Sequence, residues 1–199
     1  MSTPVRNPAT YADLEKVPPH VVAELIGGTL VTHPRPSPRH AAAASGIGAR
    51  LSSRFQWGED DGPGGWIFLD EPELHFGADV VVPDIAGWRK ERLTTLPDTP
   101  YLTVAPDWVC EIVSPSTVRY DRGPKRDIYA RAGVSFLWLL DPVEQVLEAY
   151  ALAAGQWLLL GTATGGEAVR FQPFDAISFP LSILFPFDAP KSAEPTAEG

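Results

Sequence analysis

Two apolar runs of this chain each carry one carboxylate, and a basic segment follows them. VVVPDIAGW holds Asp84, WVCEIVSPST holds Glu111, and RYDRGPKRDIYARAG contributes Lys125. A charge inside an apolar run is costly to bury unless something pairs with it. A third acid, Glu24, sits among apolar neighbours in VVAELIGGTLV. Mg²⁺ and Mn²⁺ take oxygen ligands, usually a few carboxylates completed by water and substrate phosphate. Asp84 and Glu111, with Glu24, could supply such a set. Lys125 could orient or deprotonate an attacking water, or offset charge on a pentavalent phosphate. Any one of these acids alone is more often half of an ordinary salt bridge; the constellation favours hydrolytic metal chemistry.

Competing chemistries have weaker support. Cys110 alternates with Glu111, which points it to the opposite face, where it packs as a small apolar residue. There is no G-x-S-x-G elbow for a serine hydrolase. His20, His33, His40 and His75 are dispersed, with no H-E-x-x-H and no cysteine pair to hold zinc. His33 and His40 could touch phosphate, although surface histidines are usually just solvated. The tryptophans lie mostly in apolar strands and read as core.

The elements that must position the site follow from periodicity and punctuation. TYADLEKV reads as a short first helix capped by Thr10. VVAELIGGTLV reads as a hairpin through Gly27 and Gly28, with Val22, Glu24 and Ile26 on one face. Ser37 and Pro38 open a long helix over RHAAAASGIGARLSSRFQW. WIFLDEPELHFG is a strand broken or bulged near Pro72, and VVVPDIAGW a central strand irregular at Pro83, with Val80, Val82, Asp84 and Ala86 pointing one way. A long loop leads to the buried strand WVCEIVSPS, in which Val109, Glu111 and Val113 share a face. After a turn-rich connection, Gly123 and Pro124 start a helix ended by Gly133, with Lys125, Ile128, Tyr129 and Ala132 on the stripe facing the sheet. VSFLWLLDP is a third buried strand, entered by a parallel crossover, and a hairpin turns through Ala153 to Gly155. Strands alternating with helices in this way predict an α/β fold with a mixed sheet.

Bulk properties bound the rest. The 199 residues, 44% hydrophobic and 21% charged, predict one domain over residues 10–186 between a flexible stretch 1–9 and a disordered tail 187–199. A single cysteine, no signal-peptide layout and no apolar run of roughly 20 residues make a soluble cytoplasmic protein the expectation. The net charge of −9 argues against an avid, non-specific nucleic-acid binder. Basic residues nevertheless cluster locally, with Arg35, Arg39, Arg50 and Arg54 in one acid-free stretch and Arg119, Arg122, Lys125, Arg126 and Arg131 set against Asp121 and Asp127 in a second.

VVPDIAGW, PDWVCEIVSPST and RYDRGPKRDIYARAGVSFLWLLDP together resemble the Uma family of restriction endonucleases, a branch of the PD-(D/E)XK nuclease superfamily. AELIGGTLV and the PSPRH before the alanine-rich helix resemble the N-terminal signature of that family. The resemblance implies a restriction-endonuclease-like fold, a central mixed sheet flanked by helices, and phosphodiester cleavage with Mg²⁺ or Mn²⁺. It makes Asp84 the aspartate of the PD pair and Glu111 the acid of the third core strand. The superfamily's usual lysine, two residues after that acid, is replaced by Val113; Lys125 of the following helix takes its part. Glu24 matches the N-terminal acid, whereas Gly27 stands where aspartate is common. The implied partner is nucleic acid, DNA foremost, with Arg35, Arg39, Arg119, Arg122 and Arg126 meeting its backbone and a homodimer cutting two strands. The rival expectation is a catalytically silent protein that keeps the fold as a binding or dimerisation module.

Overall fold

Two prolines decide the architecture. The stretches around Pro72 and Pro83 are each apolar enough for one long strand, but proline cannot donate to a central ladder. At both points the chain leaves one sheet for another. The structure, a computed structural model, describes residues 8–188. Most of the expected flexible start (1–7) and most of the expected tail (189–199) lie outside the described residues.

After a one-turn helix α1 (Tyr11–Leu14), the hairpin β1 (Val22–Ile26) and β2 (Thr29–His33) closes through Gly27 and Gly28 at φ +57° and +76°. Both positive values suit the twist of a two-residue hairpin. WIFLDEPELHF divides into β3 (Trp66–Asp70) and β4 (Glu73–Phe76), and VVVPDIAGW into β5 (Asp79–Val81) and β6 (Ile85–Arg89). The loop that follows contains a two-residue strand β7 (Tyr101–Leu102), and β8 covers Trp108–Ile112. The order β2-β1-β5-β4-β7 makes one sheet. The second runs β11-β10-β9-β8-β6-β3, with β9 (Phe136–Asp141), β10 (Val146–Ala153) and β11 (Gln156–Thr164). Among the described residues only β4–β7 and β8–β9 pair in parallel, so the architecture is α/β with mixed sheets, as expected. One central sheet is replaced by two.

The break at Pro83 also shifts the alternation. Val81 and Ala86 face the same core, together with Val109, Leu137 and Leu139, whereas a period of two would pair Ala86 with Val80. The residues between them, Val82 to Asp84, belong to neither strand, and the phase is lost there. The expected common face for Val80, Val82, Asp84 and Ala86 therefore does not form.

Helix α2 (Pro38–Leu51) starts where Ser37 accepts the His40 N–H, and a π-helical turn, Ser52–Gln56, continues it. Ala43, Ile47 and Leu51 recur every four residues and pack on Trp108, Cys110 and Ile112. The connection after β8 holds a further short helix, α3 (Val118–Asp121), beyond what turn composition suggested. Helix α4 (Pro124–Ala132) ends at Gly133, φ +80°, and lays Ile128 and Tyr129 on Val109, Val113, Leu137 and Leu139. Strand β8 is thus covered on both faces, and all of its residues are buried. That is why it reads as an almost unbroken apolar run. Glu111 in its middle needs a partner.

Candidate active site

The partner is Lys125. Proline at the first position of α4 sets the helix start, and Lys125 follows directly, 3% exposed. Its Nζ lies 2.8 Å from Glu111 Oε1, 3.0 Å from Glu24 Oε1 and 3.6 Å from Asp121 Oδ1. It also donates to the Val82 carbonyl at 3.3 Å. One turn along α4, Tyr129 donates from its hydroxyl to Glu111 Oε1 at 2.5 Å. Strand β1 carries Glu24 beneath the β5–β6 connection, where its Oε1 accepts the Val82 N–H at 2.8 Å. Its Oε2 stands 2.7 Å from His33 Nε2 at the end of β2.

Asp84 leaves the sheet change at Pro83 and is fixed from two sides. Its Oδ2 accepts the Ile112 N–H at 2.6 Å, and its Oδ1 lies 3.0 Å from His40 Nε2 in the first turn of α2. The Asp84 carbonyl accepts the N–H of Glu71, which has φ +46°. For a residue with a side chain that conformation costs on the order of 1 kcal/mol. The bond ties the β3–β4 connection to the β5–β6 connection, so the two changes of sheet meet behind the aspartate. Glu24, Asp84, Glu111, Asp121 and Lys125 all border one cleft of about 300 Å³.

The cleft is bordered by five carboxylates, with Glu71 the fifth, and three of them, Glu24, Glu111 and Asp121, surround its one ammonium. Burial pushes Glu24 up, but Lys125, the His33 bond and the Val82 N–H outweigh it and hold the carboxyl down at about 2. Burial raises Glu111 well above the usual carboxylate range; the pull of Lys125 is offset by Asp121, Asp84 and Glu24. Burial likewise raises Asp121, against the influence of Lys125. For Lys125, burial acts downward, and Glu111 and Glu24 more than compensate, so the ammonium persists well above its ordinary range. Burial lowers His40, and its bond and charge contact with Asp84 reverse this into a rise.

Asp84, Glu111, Glu24 and Lys125, far apart in sequence, thus come together. Of the five arginines expected to face a nucleic-acid backbone, Arg35 borders the cleft. Arg39 pairs with Asp188 at 2.8 Å and Arg122 with Glu148 at 2.6 Å. The guanidinium of Arg126 lies 4.5 Å from the Tyr150 ring centre, and that of Arg119 4.6 Å from Tyr120. Partners remote in sequence engage Arg39, Arg122 and Arg126, and Arg119 lies over its neighbour Tyr120, so all four are held by protein groups. Sequence reasoning missed the parts played by His33, His40, Asp121 and Tyr129. Two had a signal: Asp121 and Tyr129 lie four residues either side of Lys125, hence on its side of a helical path. The histidines had none, because their acids come from other elements.

An all-carboxylate donor set fits a hard divalent cation in chemical type. Among the described residues, however, no three His, Cys, Asp or Glu side chains close around one point as they stand. Lys125 occupies the position between Glu24 and Glu111, and both oxygens of Glu24 already have partners. Both oxygens of Asp84 are engaged as well, by the Ile112 N–H and His40, so an ion held by Asp84, Glu111 and Glu24 would have to displace some of these partners.

Comparison with known proteins agrees with the fold and names the family. A crystal structure described as "a putative nuclease belonging to DUF820 from Anabaena variabilis" superposes with a TM-score of 0.72, covering 90% of this chain and 98% of that one. At 22% identity this likeness establishes a shared fold. No curated protein matches. Among the described residues no helix is long and apolar enough to cross a membrane. A family model described as "Uma2: Putative restriction endonuclease" matches residues 8–182, and on that match, which takes in the whole cleft, the chain belongs to the Uma2 restriction endonuclease family.

Proposed function

We propose that this protein is a divalent-metal-dependent endonuclease that hydrolyses phosphodiester bonds in nucleic acid, with DNA as substrate and Mg²⁺ or Mn²⁺ as cofactor. The observation that carries the reading is Lys125, buried between Glu24 and Glu111 in the wall of the cleft that Asp84 also borders. A structural ion pair needs one acid; a buried lysine shared by three acids in the wall of a cleft supports the reading of a working site.

Asp84 and Glu111 would hold the ion, assisted by Glu24. Such an ion, when bound, polarises a phosphoryl oxygen and lowers the pKa of a coordinated water. Lys125 stays cationic because Glu111 and Glu24 surround it, so it offsets charge on the phosphate rather than removing a proton from water. Tyr129 holds one oxygen of Glu111, and His40 with the Ile112 N–H fixes the plane of Asp84. Arg35 at the mouth is the group available to a substrate phosphate.

The test is cleavage of single- and double-stranded DNA and RNA with Mg²⁺ or Mn²⁺. Asp84→Ala and Lys125→Ala should each lower the rate by at least about 100-fold, the scale on which lost transition-state electrostatics is felt. Equal activity in all three proteins rejects the assignment. A second reading, a silent nuclease fold used for binding or dimerisation, draws on the engaged oxygens of Glu24 and on the single arginine at the cleft. It expects no thermal shift with Mn²⁺, whereas a metal-competent site is stabilised by its ion.

A further inference from the structure

Trp66, Trp88, Trp108 and Trp138 are buried, whereas Trp57 is 63% exposed. Its indole makes no hydrogen bond, ring stack or cation contact with any described residue. The π-helical turn Ser52–Gln56 places it, returning the Trp57 N–H to the Ser52 carbonyl at 3.0 Å while Phe55 enters the core. Such turns are rare and frequently occur at functional sites.

A groove of about 500 Å³ runs from this ring along α2 to the cleft. The two cavities share Pro36, His40, Glu71 and Asp84, so they are continuous across the His40–Asp84 pair. The helix residues that line the groove between Ala41 and Ser52 are all alanine, glycine or serine, too short to fill it. From His40 to Ser52 the axis rises about 18 Å, room for a few nucleotides of one strand. Asp70, at the end of β3, and Glu71 also line it, and neither has an ion pair or a side-chain hydrogen bond among the described residues. Asp70 Oδ1 would stand 3.8 Å from a Cβ added at Gly48. None of the described residues lining the groove is a lysine or an arginine.

We infer that this groove holds single-stranded DNA leaving the cleft, with one base stacked on Trp57 and a second donating from its amine to Asp70. The inference rests on the nuclease reading, because the strand held is the one cut beside Asp84. The lining selects the occupant. With carboxylates and no cation, the groove repels phosphates and suits bases, whose faces stack on an aromatic ring whatever their identity. In a duplex those faces are stacked on one another, so the occupant is a single strand with its phosphates turned to solvent. A carboxylate accepts from the cytosine N4 amine, whereas thymine presents a carbonyl oxygen at the same place. Asp70 therefore favours cytosine over thymine.

The experiment is quenching of tryptophan fluorescence in the full chain by d(C) and d(T) strands of about 12 nucleotides, in EDTA so that nothing is cut. Subtracting the Trp57→Phe signal isolates this ring from the buried tryptophans. The d(C) strand is expected to quench Trp57 and to bind wild type at least about 5-fold more tightly than Trp57→Ala, the least that one stacked base contributes. Trp57→Tyr should restore most of the loss. Stacking carries no charge, so this ratio should hold as salt is raised. Asp70→Asn should abolish the preference for d(C) over d(T). Both side chains are exposed, so the variants should keep the cooperative thermal transition of wild type. Absence of quenching, unchanged affinity in Trp57→Ala, equal binding of the two strands by wild type, or a duplex bound as tightly as the single strand overturns the inference. Cleavage with Mg²⁺ on the same proteins separates the two claims. Quenching without cleavage removes the enzyme and keeps the groove, whereas cleavage without binding that depends on Trp57 removes the groove alone.

Discussion

Glu24 and Glu111 touch the same ammonium and are driven in opposite directions. Glu24 has the first claim: the ion pair, a backbone N–H and His33 leave it at about 2 from an ordinary 4.5. Folding favours its ionised form, so that contribution to stability is complete above about pH 4.5 and is lost as the pH falls through about 2. The shift corresponds to roughly 3 kcal/mol. Glu24→Gln should therefore cost about that much at neutral pH and little at pH 2, read as a flattened acid limb in urea unfolding. Glu111 has one strong donor fewer and three acids against it, so it holds its proton to higher pH. A divalent ion displaces such protons, so Mn²⁺ should bind more tightly as the pH rises from 5 to 8, measured by calorimetry. Tyr129→Phe removes a buried donor from Glu111 without opening a cavity. It should cost about 1–3 kcal/mol of stability and lower kcat more than it raises KM.

At the scale of elements, the site depends on where strands stop. Asp84 reaches the cleft because Pro83 ends β5 and the chain re-enters another sheet as β6, and Glu71 is bent to meet it. Strand β6 must then lie close between β3 and β8, which Gly87 permits. A Cβ there would stand 2.9 Å from the Phe68 ring and 3.2 Å from that of Trp108. Gly87→Ala should destabilise by about 1–3 kcal/mol through overpacking and lower the urea midpoint with no change in slope. The elements themselves were largely legible. The β1–β2 hairpin, the Ser37 cap, the Gly123–Gly133 helix and the inward stripe carrying Lys125 all follow from local pattern and turn chemistry. The two split strands were not, because a proline in an apolar run looks the same whether the strand bulges or leaves the sheet.

Over the whole molecule, electrostatics is where local reading was least informative. Five arginines at a substrate backbone would give a salt slope of about −4.5, while Arg35 alone gives about −1. A shallow slope is the expected outcome of titrating DNA affinity against salt, and Arg35→Ala should flatten it further. Such a protein would bind weakly and depend on its metal and its cleft for selection.

The sequence by itself determined which residues could do chemistry. A carboxylate in the middle of an all-apolar strand demands a buried cation, and the helical stripe of Lys125 names the candidate within about fifteen residues. It also determined the fold class, since strand and helix periods are local properties. Only the tertiary structure decided the charges. Whether an arginine faces a substrate or an acid, which histidine meets Asp84, and which of two glutamates keeps its proton depend on neighbours that lie up to 149 residues away, as Asp188 does from Arg39. Those pairings are made by packing, whose range in sequence has no limit, and no local pattern records them.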